Sequence, residues 1–484
     1  MKNILRKMTL VAAATSSLFL SSCDEGFTEM NIDPNNPTTV PASNLVTQAQ
    51  FSLNNLFWGG SANYEFGMLM VQHFGQNEYA EESRYNFSAS NFNLVWNTTY
   101  SRGLMDLKAA KDFVEADENL TPEAKANQLA VIKVLTTWAF HNLTDMYGDI
   151  PFSQALNADE YPSPAYDAQS DIYPQLIADL EAAVSEITPG AEGFGSADVI
   201  YEGDMAKWQK FANSLIVKIA MRMSDKEDVS STVASAVSRG VITDTADDAN
   251  FVFAEEAALS NPMWYNVNID NRDDYSVSET LLMHLAGADD TYETADDDPR
   301  LSKYAKKNSL DAYKGMPYGL TDAASFSLQT TTSRPTDAIR EMTAPAIMLS
   351  AVEMNFFLAE AVQRGMISGD AEMYYNDAVQ ASMAQWGVDQ ADADAYLAAH
   401  PYDAANYKEV IGTEKWVALY SQGLEAWAEW RRLDYPMLSA PADMSPVATG
   451  IPTRALYPSD EIGTNGDNRP EEVNLNQKLW WDAN

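Results

Sequence analysis

Apolar residues recur at helical spacing through most of the chain. Tyr173, Leu176, Ile177, Leu180, Val184 and Ile187 fall on one face, as do Trp208, Phe211, Ala212, Leu215 and Ile219. The same reading places Trp416, Leu419, Tyr420, Gly423, Trp427 and Trp430 on one helical face. A further helix is predicted to start at Thr121-Pro122, a capping hydroxyl followed by proline at the first helical position. It should run through Val131, Val134, Leu135 and Trp138 towards Gly148. Period-two alternation is scarce, which predicts a mainly α fold with few short strands.

One segment has the character of a repeat. Leu358-Ala359, then Ala371, Tyr375 and Ala378, have the tetratricopeptide spacing of small and large packing residues, because two helices approach closely only where small side chains face bulky ones. The expected scaffold is a stack of about four helix–turn–helix units. Between helices lie long irregular stretches rich in Gly, Pro, Asp, Asn and Tyr, near 188–203, 243–275, 286–335 and 436–475. Loops of that length usually carry function or disorder.

The N-terminus has a different pattern. Lys2, Arg6 and Lys7 precede an apolar run from Leu10 to Leu20, too short for a permanent membrane span. The run stops at Leu20-Ser21-Ser22-Cys23, the lipobox order of leucine, two small residues and cysteine. Residues 1–22 therefore read as a signal peptide, Cys23 as the lipidated residue, and 23–40, with Asp33-Pro34-Asn35-Asn36-Pro37, as a tether. The rest, 41–484, reads as a single helical domain with loop insertions. Cys23 is the only cysteine, so no disulfide can form within the chain.

Composition narrows the partners. The net charge is −39, and removal of the signal segment leaves 28 basic against 70 acidic residues. This argues against nucleic acid and against electrostatic docking on anionic lipid, so membrane contact is expected through acyl chains.

The candidate chemistry is recognition. His73, His141, His284 and His400 are scattered, with neither an H-E-x-x-H motif nor an i, i+4 pair, so no metal site is expected. No G-x-S-x-G elbow or P-loop is present, and no cofactor is expected. Glycoside hydrolysis needs only two carboxylates, which 70 acids neither exclude nor locate. The clusters Asp289-Asp290 and Asp296-Asp297-Asp298 lack the spaced ligands and glycine of an EF-hand and read as solvated loop.

Sugar recognition needs flat apolar faces for the C–H side of a ring and planar polar groups for its hydroxyls. Two stretches have that make-up. One holds Trp58, Tyr64, Phe66, Asn77, Tyr79, Arg84 and Tyr85; the other holds Trp264, Tyr265, Asn266, Arg272, Asp273 and Tyr275. Trp264 and Tyr265 are the first candidates. Trp427 and Trp430 lie at core spacing, and Arg431 and Arg432 are expected to pair with Glu429 or Asp434.

Several segments together resemble the SusD/RagB family of nutrient-binding outer-membrane lipoproteins, in its SusD-like branch. They begin with the lipobox and Asp33-Pro34-Asn35, then Tyr147-Gly148-Asp149-Ile150-Pro151, Tyr166-Asp167 and Phe211-Ala212-Asn213-Ser214-Leu215. Asp298-Pro299-Arg300-Leu301 and Ala359-Glu360-Ala361 follow, then Lys415-Trp416, Glu425-Ala426-Trp427 and Trp430-Arg431-Arg432. Tyr457-Pro458 and Trp480-Trp481-Asp482 close the series. The resemblance implies a tetratricopeptide-like helical fold at the outer-membrane surface. It also implies packing against a SusC-like TonB-dependent transporter, as a hinged lid that captures glycan or peptide nutrients. Two rival readings stay open: a surface glycoside hydrolase or peptidase, and a structural partner of the transporter that binds nothing itself.

Overall fold

Five helices meet around a network of buried charges, and that network shows how the molecule is assembled. Arg222, fully buried on the Met205–Met223 helix, donates to Asp145 of the Pro122–Tyr147 helix (3.0 Å) and to Glu425 (2.8 Å) and Glu429 of the Gly423–Leu433 helix. Lys218, one turn earlier, reaches Glu353 of the Ala351–Gln363 helix at 3.2 Å and Glu425 at 2.6 Å. Lys415 of the Tyr407–Ala418 helix meets Glu429 at 2.8 Å. Arg432 spans Glu360 (2.6 Å) and Glu429 (2.7 Å). Desolvating so many ions is costly, so each must be paired and hydrogen-bonded for the interior to hold them.

The computed structural model describes residues 40–287, 292–293, 297–471 and 473–483. Signal segment 1–22, Cys23 and the tether to residue 39 lie outside the described residues, as do Asp289, Asp290 and Asp296. Ala42–Asn484 groups into one unit. Its scaffold is helical. After Ala42–Phe57 come four consecutive packed pairs: Met105–Ala116 with Pro122–Tyr147, Gln169–Glu186 with Met205–Met223, Ala351–Gln363 with Ala371–Gln385, and Tyr407–Ala418 with Gly423–Leu433. Successive pairs also touch one another, as expected for a stacked helical array.

The predicted caps are in place. Thr121 accepts from Ala124 N at 3.2 Å with Pro122 at the first helical position, and Gly148 ends that helix at φ +84°. Ala359 and Ala378 pack with Phe356 and Tyr375 in a second, smaller core beside the main one.

The run from Trp416 to Trp430 departs from the expected single face. It is two helices, broken at 419–422, where Ser421 takes φ +76°. The break is set by contact of backbones. A Cβ on Gly423 would lie 2.3 Å from Met68 N, and one on Gly67 would lie 2.3 Å from the Gly423 carbonyl carbon. Asn63 locks the crossing: its Oδ1 accepts from Gly423 N (2.6 Å) and its Nδ2 donates to Ser421 O (3.0 Å). Gly67 closes a π-helical segment, Gly60–Gly67.

Strands are few and short, and they tie together distant chain segments. β1 (Phe74–Gln76) pairs antiparallel with β5 (Tyr275–Val277), in the register Phe74↔Val277 and Gln76↔Tyr275. β2 (Ile150–Pro151) pairs with β3 (Tyr166–Asp167), and β4 (Ala249–Phe251) with β6 (Ala346–Leu349). The long stretches between helices hold these strands and short helices such as Pro262–Asn268, Asp322–Leu328 and Glu461–Thr464.

Two charge assignments change. Among the described residues Arg431 pairs with no carboxylate side chain: it donates to the carbonyls of Asp145, Thr453 and Trp427 and lies 3.4 Å over the Trp427 ring. Asp298, expected in a solvated loop, is buried against Arg300, which also holds Glu414 at 2.6 Å. Among the described residues no helix is long and apolar enough to cross a membrane.

Candidate functional site

The β1–β5 ladder brings the two aromatic stretches together. Just past β1, Asn77 N donates to Asp274 O (2.6 Å) and Asn77 Nδ2 to Asp273 O (3.0 Å), while Ser276 Oγ donates to Asn77 Oδ1 (2.7 Å). This clamp fixes the chain that carries Tyr79 against the chain that carries Arg272. Tyr79 adopts φ +53°, a left-handed conformation uncommon for an aromatic residue, and the residue is 58% exposed. Arg272 places its guanidinium 4.4 Å from the Tyr79 ring centroid. Its in-plane edge is committed to Asp274, which accepts from Nε at 2.6 Å. Burial lowers the Arg272 pKa, but the hydrogen bond to Asp274 and that residue's charge outweigh it, leaving a net rise.

Neighbouring loops complete the face. Asp273 is held by Arg334 and Arg340, each at 3.0 Å, and Arg334 also donates to Ser276 Oγ (2.7 Å). Asp322, at the start of its short helix, accepts from Ala80 N at 2.5 Å. Asn261 caps the Pro262–Asn268 helix by accepting from Met263 N (2.9 Å) and Trp264 N (3.3 Å). That helix carries Trp264, half-buried, and Tyr265, 39% exposed.

The other candidates take different places. Tyr64 and Tyr275 are buried edge-to-face on each other with centroids 5.4 Å apart, so their rings support the ladder and are closed to ligand. Burial raises the pKa of both phenols. Phe66 and Tyr85 are likewise core. Asn266 spends its amide nitrogen on Arg272 O (3.2 Å), closing the 266–272 loop. Arg84 is half-buried and bonds Asp443 O at 2.9 Å. Trp58 is half-buried and lines a separate small cavity with Trp386 and Ile339. Exposed polar and aromatic groups thus converge at Tyr79, Arg272 and Asp273. Sequence reasoning missed Asp274, Arg334 and Arg340, since nothing in a polar loop marks an arginine whose partner lies 60 residues away.

Planar cation over an exposed ring, flanked by paired carboxylates, is chemistry for binding. It offers a flat face and directional donors and acceptors. His73 and His141 take no part: both are buried, and burial pushes their pKa values down to about 3 and about 4.

Comparison with known proteins fits this class of molecule. The chain matches the model of the SusD-like family described as "Starch-binding associating with outer membrane" over residues 34–458, and it belongs to that family. Similar solved structures include a chitin-binding protein, 27% identical with a TM-score of 0.77, matched over 90% of this chain and 100% of that one. A SusD homolog from Parabacteroides distasonis is 21% identical with a TM-score of 0.78, covering 92% and 97% of the two chains. An outer-membrane protein from Bacteroides vulgatus, described in terms of nutrient binding, is 22% identical with a TM-score of 0.74, covering 92% and 100%. A search of curated proteins returns no match.

Proposed function

We propose that this protein is a surface lipoprotein, anchored through Cys23, that binds a neutral oligosaccharide at the Tyr79–Arg272 face. It passes the sugar, unmodified, to a SusC-like TonB-dependent transporter on which it sits as a hinged lid. The observation that carries the binding reading is the exposed Tyr79 ring under the Arg272 guanidinium, at the junction of two otherwise remote segments. The family description names starch, and the 27%-identical relative is a chitin-binding protein, which favours a glycan over a peptide. Both descriptions are of binding, which favours capture over turnover.

Two measurements test it. Mild-detergent purification of the lipidated protein from its native membrane should recover a TonB-dependent barrel in stoichiometric amount; recovery of the protein alone would remove the lid role. Calorimetric titration with maltoheptaose and chitohexaose should show binding of one of them without cleavage. Release of shorter sugars, abolished by replacing a single acid, would instead make it a hydrolase.

A further inference from the structure

A separate concave surface shares no residue with the Tyr79–Arg272 face. It is a cleft of about 430 Å³, within the range of roughly 300–1,000 Å³ of small-ligand sites. One wall is the π-helical turn Thr99–Leu104 with the residues before it; the other is the segment 151–164; the Glu461–Thr464 helix forms the floor. Wide helical turns of this kind recur at functional sites. Opposite it, Leu156 lines the cleft at φ +63°, a conformation a leucine seldom adopts.

The lining is aromatic with amides and one carboxylate. On the helical wall half-buried Tyr100 packs 5.2 Å from Trp96, which is buried and closed to ligand, so the rings available to the cleft are Tyr100 and, from the facing segment, Tyr161. Tyr100 is fixed by its hydroxyl, which donates to Pro151 O at 2.6 Å, so the two walls are joined at the base. Gln154 accepts from Ala165 N (2.8 Å) through Oε1, and its Nε2 has no partner among the described residues. Asn97 donates to Asp460 (2.7 Å), leaving its carbonyl oxygen without one. On the floor Glu461 is held by the Tyr166 hydroxyl at 2.6 Å.

Charge then decides the occupant. Among the described residues no lysine or arginine lines the cleft, and Glu461 does. An anionic sugar would meet a carboxylate and no cation, while a wholly apolar molecule would strand the amides and the acid in a desolvated site. A ring with an apolar C–H face and a rim of hydroxyl donors satisfies both constraints.

We propose that this cleft is a second glycan subsite, taking one or two rings of a neutral pyranose oligosaccharide. The proposal rests on the reading of the protein as a glycan binder, and the test separates the two. The mature full-length protein is titrated with maltoheptaose and, separately, chitohexaose, alongside four variants. Ser101→Trp fills the cleft from its exposed rim. Gln154→Leu removes at nearly constant shape both the free donor and the oxygen that accepts from Ala165 N, and keeps the test informative if the bulky tryptophan disturbs folding. Tyr79→Ala and Arg272→Ala remove the loop face. Two sites are expected for at least one probe, one of them lost in Ser101→Trp and weakened about tenfold in Gln154→Leu, with the other lost in the loop-face variants. Binding that both cleft variants leave unchanged overturns the cleft and leaves the loop-face reading standing. Binding lost in the cleft variants but retained in Tyr79→Ala and Arg272→Ala supports the cleft and refutes the loop face. Absence of binding of both probes to the unaltered protein overturns both.

Discussion

The guanidinium of Arg272 lies 4.4 Å from the ring centroid of Tyr79, although the two residues are almost 200 positions apart in the chain. Removing Tyr79 should cost ligand affinity while sparing the fold, because the residue is exposed; removing Arg272 should cost affinity and also some stability, because the buried Asp274 carboxylate loses its partner. Tyr79→Ala is expected to weaken glycan binding about tenfold or more, and Tyr79→Phe to weaken it much less, since the flat face is kept. Arg272→Met should fall between them. Calorimetric Kd values report the effect, and melting temperatures within a few degrees of the parent show that the fold is intact.

Glu429 accepts from Arg222, Lys415 and Arg432 in the interior, and burial does not prevent these three cations from holding its carboxyl well below its usual range. Glu429→Ala would leave buried cations short of a partner, an effect worth about 3–5 kcal/mol. Glu429→Gln keeps the shape but loses the charge and should cost nearly as much. A matched loss at Lys133→Ala is not expected, because its pair with Glu186 is on the surface at 3.4 Å. Chemical unfolding of the three variants ranks them.

The helices were legible because packing against a core imposes a 3.6-residue period on the sequence itself. The 416–430 run was misread for a physical reason. Its break keeps the apolar pattern, since Leu419 and Tyr420 are buried in the turn as deeply as Trp416 is in the helix. Only Gly423 marks the break, and its role depends on Gly67, about 350 residues earlier. The candidate site was half legible. Local composition singled out both segments that form it, but Tyr64 and Tyr275 could not be told from Tyr79 without the β1–β5 register that buries the first two. Of the charge network only the Arg432–Glu429 pair, three residues apart on one helix, was legible; the rest was hidden because its ions sit among apolar residues with partners on other helices.

Cys23 carries the anchoring proposal and gives a direct prediction. Cys23→Ser should remain unprocessed, lose incorporation of an alkyne-tagged fatty acid, and be absent from the correctly processed outer-membrane fraction. Labelling equal to the parent's would refute lipidation at this residue.

His141 should make stability fall as acid is added. Burial pushes its pKa down to about 4, helped by Arg222 and Lys218 and opposed by Asp145 and Glu425. In the unfolded chain it titrates near 6.5, so below that pH the unfolded state takes up a proton that the folded state refuses until about pH 4. The stabilising difference is therefore full above pH 6.5 and shrinks towards pH 4. Between pH 7 and pH 5 the loss from this one group is about 2 kcal/mol. Replacement by Gln removes the titration, so the variant should lose about that much less over the same interval, even if it is weaker at pH 7. Urea unfolding at the two pH values reads the difference, and equal losses in both proteins would show that His141 is not held neutral.

The crossing of Gly67 and Gly423 leaves no room for a side chain at either position. At Gly423 an added Cβ meets Met68 N and the Met68 side chain at 2.3 and 2.6 Å, and backbone cannot retreat as a flexible side chain can. Relief would have to separate the Gly60–Gly67 segment from the Gly423–Leu433 helix and pull Asn63 away from Gly423 N. The same helix carries Glu425, Glu429 and Arg432, so a small shift here is transmitted to the buried charges. Gly423→Ala and Gly67→Ala are each expected to destabilise by several kcal/mol, at the upper end of single substitutions. Because both relieve the overlap by the same separation, the double variant should cost clearly less than the sum of the singles. Unfolding free energies for the four proteins give the answer, and strict additivity would mean that the two glycines do not share one contact.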